Sequence, residues 1–234
     1  LRGITDRLYG GDEDHRLRQE LVLGVGGARL LHALGHRPDV YHINEGHAAF
    51  LTLERLRRRV DAGMDLDVAF EIVRASNAFT THTPVPAGNK VYEQDLVRPH
   101  VAPYLDEMGL SLQDFLALGQ VTPGEGGFGM TTFALKTSGR ANGVSQLHGE
   151  VSRGMWSAVW GETPVEETPI GHVTNGVHPA TWVGREAADL SDTHLGPRWR
   201  PDPHNPDTLS RVPTIPDAES WRAPIPPRER LLIF

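Results

Sequence analysis

Apolar runs that break into polar, glycine- or proline-containing sequence divide the chain into alternating strands and helices. Two β-favouring runs, 40–44 and 78–81, enclose helical patterns at about 45–62 and 67–76. A similar run at 169–175 predicts a third strand. This βααβ order predicts an α/β fold with a parallel sheet and right-handed crossovers.

The other predicted helices follow the same patterns. They cover residues 12–35, 93–108, 111–118 and 144–159, and the first has an apolar stripe of Leu21, Val25, Ala28, Leu31 and Leu34. Pro99 and Pro103 predict interruptions of the second of these helices. The glycines at 24, 26 and 27 resemble a phosphate loop but follow no strand, so close helix packing is the prediction.

Composition is that of an ordinary globular protein. The chain has 234 residues, 38% of them hydrophobic and 23% charged, with a net charge of −7. This balance argues against nucleic acid as a partner, and the longest apolar runs are too short to predict a membrane span. Cysteine is absent, which excludes disulfides and thiolate chemistry and fits a cytoplasmic location. Prolines recur between 196 and 227 and predict a linker.

The polar breaks after the first two strands are the candidate functional residues. Glu45 and His47 follow the first strand, and His82 follows the second. Because parallel strands deliver their carboxyl ends to one edge of a sheet, we expect these side chains to share a crevice. His42 and His47 lack the spacing of a helix-borne zinc pair, so no metal site is predicted.

Five segments in this order resemble the α-glucan (glycogen, starch and maltodextrin) phosphorylases, and most closely the short bacterial type. They are Arg16-Leu-Arg-Gln-Glu20, His42-Ile-Asn-Glu-Gly-His-Ala-Ala-Phe50, Thr80-Thr-His-Thr-Pro-Val-Pro-Ala-Gly88, Lys136-Thr-Ser-Gly-Arg-Ala-Asn-Gly-Val-Ser-Gln-Leu-His-Gly-Glu-Val151 and Thr174-Asn-Gly-Val-His-Pro-Ala-Thr-Trp182. The resemblance implies a Rossmann-like parallel sheet with flanking helices, part of the N-terminal domain of a two-domain GT-B glycosyltransferase. Residues 1–195 would be a partial glucan-binding domain. Residues 196–234 would be a connecting segment with an incomplete terminal helix.

The family resemblance implies retaining phosphorolysis of α-1,4-glucans to α-D-glucose 1-phosphate. The backbone carbonyl of His82 would stabilise the oxocarbenium-like transition state, and its side chain would bind the sugar. Pro84 and Pro86 would hold that loop in one conformation. Asn175 would bind a hydroxyl of the same glucosyl unit. The alternatives are a structural histidine at 82 and a turn-forming Asn175-Gly176.

Further residues match the family's substrate-binding positions. Glu45 and His47, with the adjacent Asn44, would face the acceptor end of the glucan. Longer family members carry Asn-Asp-Thr-His where this chain has Asn44-Glu-Gly-His47. The alternative for Glu45 is a carboxylate at a helix N-terminus, stabilised by the helix dipole. Tyr9 and Asp12 would belong to the loop that gates the channel. Asn142 and His148 lie in a segment near the site, where packing is the alternative.

The family's cofactor is pyridoxal 5′-phosphate, bound to a lysine in a C-terminal domain. That lysine loop has no counterpart in this sequence, so this chain alone is expected to be inactive and to need the missing domain. The absence of an initiator methionine and the apolar end at 231–234 predict a piece of a longer chain. The expected partners are an α-1,4-glucan, inorganic phosphate and, at full length, a second copy in a homodimer. A nucleotide-sugar-dependent GT-B glucan synthase and a non-catalytic glucan-binding module remain alternatives.

Overall fold

The computed structural model describes residues 3–6, 10–223 and 225. The described residues form two compact units, one ending at Asn175 and one beginning at Gly176. This division lies upstream of residue 195, where the sequence predicted a boundary. The assignment of residues 1–195 to a glucan-binding domain stays a prediction.

The first unit is an α/β structure with a parallel sheet. Its strands are β1 (Tyr41–Asn44), β2 (Asn77–Thr81), β3 (Val91–Tyr92), β4 (Phe128–Gly129), β5 (Arg140–Gly143) and β6 (Ile170–His172). Its α-helices are α1 (Glu13–Leu21), α2 (Gly27–Ala33), α3 (Leu51–Asp61), α4 (Leu66–Ala75), α5 (Gln94–Met108), α6 (Leu112–Leu118), α7 (Met130–Lys136) and α8 (Gln146–Trp156). Four strands form a parallel sheet in the order β1-β2-β5-β6, and β3 pairs antiparallel with β4. The predicted α/β class, with a parallel sheet and flanking helices, is confirmed.

The predicted helix at 12–35 forms as α1 and α2, joined by a π-helical turn at Val22–Gly26. Asp12 caps α1 by accepting a hydrogen bond from the backbone N–H of His15 at 2.9 Å. Val25 and Ala28 of the predicted apolar stripe are buried, whereas Leu34 is 65% exposed. The predicted stripe is therefore correct in its middle and wrong at its C-terminal end.

The predicted interruptions at Pro99 and Pro103 are wrong, because α5 runs through both prolines. Both lie on the exposed face, while Val97 and Val101 lie on the buried face. Because this face is exposed, solvent is available to the carbonyls that a proline leaves without a helical partner, which explains why both prolines are tolerated.

One strand of the sheet was missed by the sequence analysis. β5 lies between β2 and β6, so the segment predicted to be the third strand is the fourth. Its sequence, Arg-Ala-Asn-Gly, has no β-branched or aromatic residue and carries no strand signal. It forms because its backbone pairs with both neighbours.

A cluster of phenylalanines forms the centre of the core beside the sheet. Phe115 and Phe128 stack with ring centroids 5.0 Å apart, and Phe133 contacts Phe128 at 5.2 Å. Phe50 joins them, at 5.9 Å from Phe133. Since Phe50 is the N-cap residue of α3, this packing fixes the start of that helix.

The second unit consists of short helices. They are α9 (Pro179–Trp182), α10 (Arg185–Leu195), α11 (Pro206–Leu209) and α12 (Asp217–Arg222). Ala188, Leu195 and Trp199 form a small core of their own. The prolines at 179, 197 and 206 begin short helices, where a missing N–H costs nothing, so the proline-rich segment is not simply extended. Its role as a connecting segment stays a prediction, and most of the predicted terminal helix lies outside the described residues. No described helix combines the length and apolarity needed to cross a membrane.

We predict opposite effects of alanine at two glycines, Gly24 of the π-helical turn and Gly27 at the start of α2. A Cβ at Gly24 would lie 2.7 Å from the backbone nitrogen of Leu51, whereas a Cβ at Gly27 meets nothing within 4 Å. Gly24→Ala should therefore destabilise the fold by about 1–3 kcal/mol through overpacking. Gly27→Ala should stabilise it by about 0.4–1 kcal/mol, because alanine restricts the unfolded chain. Urea unfolding measures both free energies, and equal shifts in the two variants would contradict the packing assigned to Gly24.

Candidate functional site

A crevice of about 690 Å³ opens at the carboxyl ends of β1 and β2. Asn44, the last residue of β1, pairs in register with Thr80 of β2, so the chains leaving both strands are neighbours. The crevice is lined by Arg16, Glu20, Glu45, Gly46, His47, His82, Thr83, Gly88, Asn89, Lys90, Val91, Met130 and Thr131. The structure thus brings together three of the residues singled out in the sequence: Glu45, His47 and His82.

Glu45 has an unusual backbone conformation at the point where β1 ends. Its φ is 59° and its ψ is 176°, a region that is occupied almost only by glycine. Among the residues that the structure describes, it is the one non-glycine residue with a positive φ. Such a conformation costs about 1–3 kcal/mol and persists only where surrounding contacts hold it.

Gly46 explains how the chain turns so sharply after Glu45. A Cβ at Gly46 would lie 2.8 Å from the Cβ of Met130, so the backbone packs directly against the start of α7. The backbone N–H of Glu45 donates to the carbonyl of Thr80 at 2.9 Å, which continues the β1–β2 pairing by one residue. Glu45 is therefore held between two fixed points.

The carboxylate of Glu45 contacts the loop that follows β2. Its Oε1 accepts hydrogen bonds from the backbone N–H of His82 and, at 3.1 Å, from the hydroxyl of Thr83. His82 itself is exposed at the crevice. The alternative for Glu45, a carboxylate stabilised by the dipole of a helix N-terminus, does not account for these two hydrogen bonds.

His47 lies on the other side of the crevice against a buried carboxylate. Its Nδ1 is 3.1 Å from Oε1 of Glu20, and Oε2 of Glu20 accepts a hydrogen bond from the hydroxyl of Tyr92 at 3.0 Å. Glu20 is 4% exposed and Tyr92 is fully buried. With the Nδ1 proton directed to Glu20, Nε2 is the ring nitrogen left to meet a ligand.

The charges around His47 act in both directions on its protonation. The hydrogen bond to Glu20 raises the pKa of His47, and the negative charge of Glu45 raises it further. Burial and the positive charge of Arg16 lower it. The net effect is a raised pKa. Burial together with Glu20 also raises the pKa of Tyr92, so its hydroxyl stays protonated and donates to Glu20.

Asn142 lies inside the sheet rather than at the crevice. Its Oδ1 accepts from the hydroxyl of Thr80 at 3.0 Å, and Nε2 of His42 lies 2.8 Å from the same hydroxyl. These contacts join neighbouring positions on β1, β2 and β5. They support the packing alternative for Asn142, and its binding role stays a prediction.

Two further asparagines are exposed at the ends of strands. Asn44 ends β1, and Asn175 follows β6 with its backbone N–H donating to the carbonyl of Val144 at 3.0 Å. Within the described part of the chain, neither residue lines the 690 Å³ crevice. Their predicted contacts with sugar are not tested by this geometry.

The residues assigned to a gate loop are only partly described. Asp12 caps α1 and lines a second, more open depression of about 410 Å³, which shares Arg16 and Lys90 with the crevice. Tyr9 lies outside the described residues. His148 is buried in α8 and its Nδ1 accepts from the backbone N–H of Val144 at 3.2 Å, which agrees with the packing alternative.

The sequence analysis missed Glu20 and Tyr92 as parts of the site. Glu20 shares one face of α1 with the fully buried Leu17, and it lies four residues before the tightly packed Gly24. A carboxylate on the apolar face of a helix is costly unless it has partners. The position of Glu20 on this buried face was the feature of the sequence that could have identified it as part of the site. Tyr92 lies in the two-residue strand β3, which had no recognisable pattern.

Polar crevices at the carboxyl edge of a parallel sheet are typical of α/β proteins that bind small molecules or saccharides. No family model matches the sequence. Individual relatives do match. A maltodextrin phosphorylase of Thermococcus litoralis is 40% identical over 223 residues, which are 95% of this chain and 26% of the relative. A glycogen phosphorylase of Mycobacterium tuberculosis is 45% identical over 208 residues, or 80% of this chain and 24% of the relative.

A glycogen phosphorylase of Aquifex aeolicus is 36% identical over 233 residues, covering 99% of this chain and 33% of the relative. The chain is therefore similar to one segment of the glycogen and maltodextrin phosphorylases, at 36–45% identity. It spans about a quarter to a third of the length of these relatives.

The chain's two lysines do not fit a pyridoxal phosphate site. Nζ of Lys136 donates to the carbonyls of Ala117 and Gln120, at 2.9 and 2.5 Å, and so is used within the fold. Nζ of Lys90 pairs with Glu13 and lies 4.9 Å from the centre of the Tyr92 ring. Among the described residues, no group of three histidine, aspartate or glutamate side chains is arranged to hold a metal ion.

We predict that Glu20 controls the protonation of His47. In the wild type the pKa of His47 should lie above the ordinary value of about 6.5, and Glu20→Gln should lower it. Because the folded-state pKa is raised, protonated His47 stabilises the fold fully below about pH 6.5, and this contribution is lost as the pH rises through the folded-state pKa.

NMR titration of the histidine ring protons measures the pKa of His47 in both proteins. Glu71→Gln, at an exposed glutamate of α4, is the control variant and should leave the pKa of His47 at its wild-type value. An identical His47 pKa in wild type and Glu20→Gln would contradict this assignment.

Proposed function

We propose that this chain is part of an α-glucan phosphorylase that transfers the terminal glucosyl unit of an α-1,4-glucan to inorganic phosphate. The product would be α-D-glucose 1-phosphate, formed with retention of configuration. The observation that carries the proposal is the shared crevice of Glu45, His47 and His82. The named relatives, which match most of this chain, support the same class of reaction.

His82 would act on the reacting glucosyl unit through its backbone carbonyl. As the glycosidic bond breaks, positive charge develops at the anomeric carbon and ring oxygen, and a fixed carbonyl dipole stabilises that charge. Such a dipole is effective only if it is oriented before the reaction. The contacts that Glu45 makes with His82 and Thr83 support this role, because they hold the loop from one side.

His47 and Glu45 would serve the acceptor side of the glucan, with Asn44 beside them. A half-exposed imidazole whose Nδ1 is held by Glu20 can present Nε2 to a sugar hydroxyl. We further propose that Asn175 binds a hydroxyl of the reacting glucose. Tyr9, Asp12 and Asn142 are proposed as further substrate contacts.

The cofactor and phosphate sites would belong to the rest of the polypeptide. Pyridoxal 5′-phosphate in this family would supply a phosphate group that exchanges protons with the substrate phosphate. Since neither lysine of this chain fits its attachment, we propose that a second domain in a GT-B arrangement holds it. This chain alone would then lack phosphorolytic activity. A homodimer at full length and a cytoplasmic location are further proposals.

A non-catalytic glucan-binding module is the second candidate function. The exposed His82 and the half-exposed His47 of the crevice would serve it too, since glucan binding needs only hydrogen-bonding groups and no cofactor. The two candidates differ in whether glucan binding is coupled to phosphate-dependent cleavage.

The test is the release of α-D-glucose 1-phosphate from maltoheptaose and inorganic phosphate by the native polypeptide that contains this segment. We expect activity that requires phosphate and does not respond to a nucleotide sugar. His47→Ala should lower kcat/KM about tenfold, the effect of losing one hydrogen bond to substrate. The matched control is His204→Ala, an exposed histidine of the second unit, which should leave kcat/KM unchanged.

Three results would count against the proposed function. Glucan binding without phosphate-dependent release would indicate the binding module. A requirement for a nucleotide sugar would indicate a synthase. Equal kcat/KM for His47→Ala and the wild type would remove His47 from the site.

A further inference from the structure

We propose that Glu45 is a positioning residue whose carboxylate fixes the orientation of the His82 backbone carbonyl in the crevice. The inference rests on the proposed function in one respect, namely that the His82 carbonyl faces the reacting sugar. The coupling between Glu45 and His82 is a property of this chain and is measurable without catalysis.

The two hydrogen bonds that Glu45 accepts come from consecutive residues of the loop after β2. One comes from the N–H of His82, and the other comes from the hydroxyl of Thr83, the next residue. Both reach the same oxygen, Oε1. One contact fixes the amide nitrogen of His82 and the other holds the side chain of Thr83. Together they limit rotation of the peptide group between the two residues, which carries the His82 carbonyl.

The opposite end of the loop is anchored independently of Glu45. The side-chain amide of Asn89 donates to the carbonyl of Val85 at 3.0 Å, and its Oδ1 accepts from the hydroxyl of Thr131 at 2.8 Å. Gly88 packs so closely on Thr83 that an added Cβ would lie 2.5 Å from the threonine methyl carbon. With this end fixed to α7, Glu45 supplies the contact from the β1 side.

The strain at Glu45 indicates that its side chain has a role there. Glycine would adopt the observed φ of 59° and ψ of 176° without a steric penalty, yet the position carries glutamate. The carboxylate hydrogen bonds offset the strain, because hydrogen bonds to a charged acceptor are stronger than neutral ones. The side chain of Glu45 thus stabilises the loop after β2, although its own backbone is strained.

Glu45→Gly separates this role from folding. Glycine relieves the strained backbone and removes both hydrogen bonds. We therefore expect Glu45→Gly to fold and to be at least as thermally stable as Glu45→Ala, which loses the same hydrogen bonds and keeps the strain. Glu45→Gln is the second variant, since its amide oxygen still accepts hydrogen bonds but carries no charge. Glu71→Gln, at an exposed glutamate on α4, is the matched control.

The first measurement is amide hydrogen exchange of this chain by NMR. The His82 amide should exchange about ten- to a hundredfold faster in Glu45→Gly, with a smaller effect in Glu45→Gln and none in Glu71→Gln. An unchanged His82 amide in both Glu45 variants would overturn the proposal, whatever the activity of the polypeptide.

The second measurement is kinetic and uses the native polypeptide with maltoheptaose and phosphate. A positioning role predicts that Glu45→Gly lowers kcat about tenfold or more with KM nearly unchanged, and that Glu45→Gln recovers part of the loss. A raised KM with unchanged kcat would overturn the positioning role and leave Glu45 only as the acceptor-side glucan ligand proposed above. If the wild type shows no phosphorolysis, the proposed function fails, and the amide exchange still decides whether Glu45 fixes His82.

Discussion

The parallel pairing of β1 with β2 is the constraint on which the crevice depends. The register places Asn44 beside Thr80, and the extra hydrogen bond from Glu45 to the Thr80 carbonyl extends that pairing to the point where both chains leave the sheet. The contact of Glu45 with the loop after β2 depends on this alignment. A shift of one residue would turn the Glu45 side chain to the other face of the sheet and away from His82.

Two carboxylates of the crevice have most of their oxygens used within the protein. Glu20 accepts a hydrogen bond from the Tyr92 hydroxyl and contacts Nδ1 of His47. Oε1 of Glu45 accepts hydrogen bonds from the His82 N–H and the Thr83 hydroxyl. Saccharides are bound through many weak hydrogen bonds, so a site for them needs polar groups whose positions are fixed in advance. In this chain acidic side chains provide that fixation, and the imidazole and backbone groups they hold are the ones presented to a ligand.

The sequence was sufficient for the order of the main elements and for the convergence at the crevice. The breaks after 44 and 81 carried this information, because a parallel sheet requires such strand ends to meet. The sequence was insufficient where tertiary contacts outweigh local preference. Arg140–Gly143 is a strand only because it lies between two others, and the prolines of α5 are tolerated only because that face is solvated. The contact between Glu45 and His82 joins residues 37 positions apart and depends on a rare backbone conformation, so no local pattern announces it.

The central claim is that the crevice at the ends of β1 and β2 binds an α-1,4-glucan, and an NMR titration of the ¹⁵N-labelled chain with maltoheptaose tests it most directly. Cellopentaose, with β-1,4 linkages, is the control ligand. The account predicts saturable shifts of the amides at 45–47 and 82–83 with maltoheptaose, weaker or no shifts with cellopentaose, and unchanged amides at Ala188 and Leu195. No saturable shift at 45–47 and 82–83, or the same response to both sugars, would contradict it.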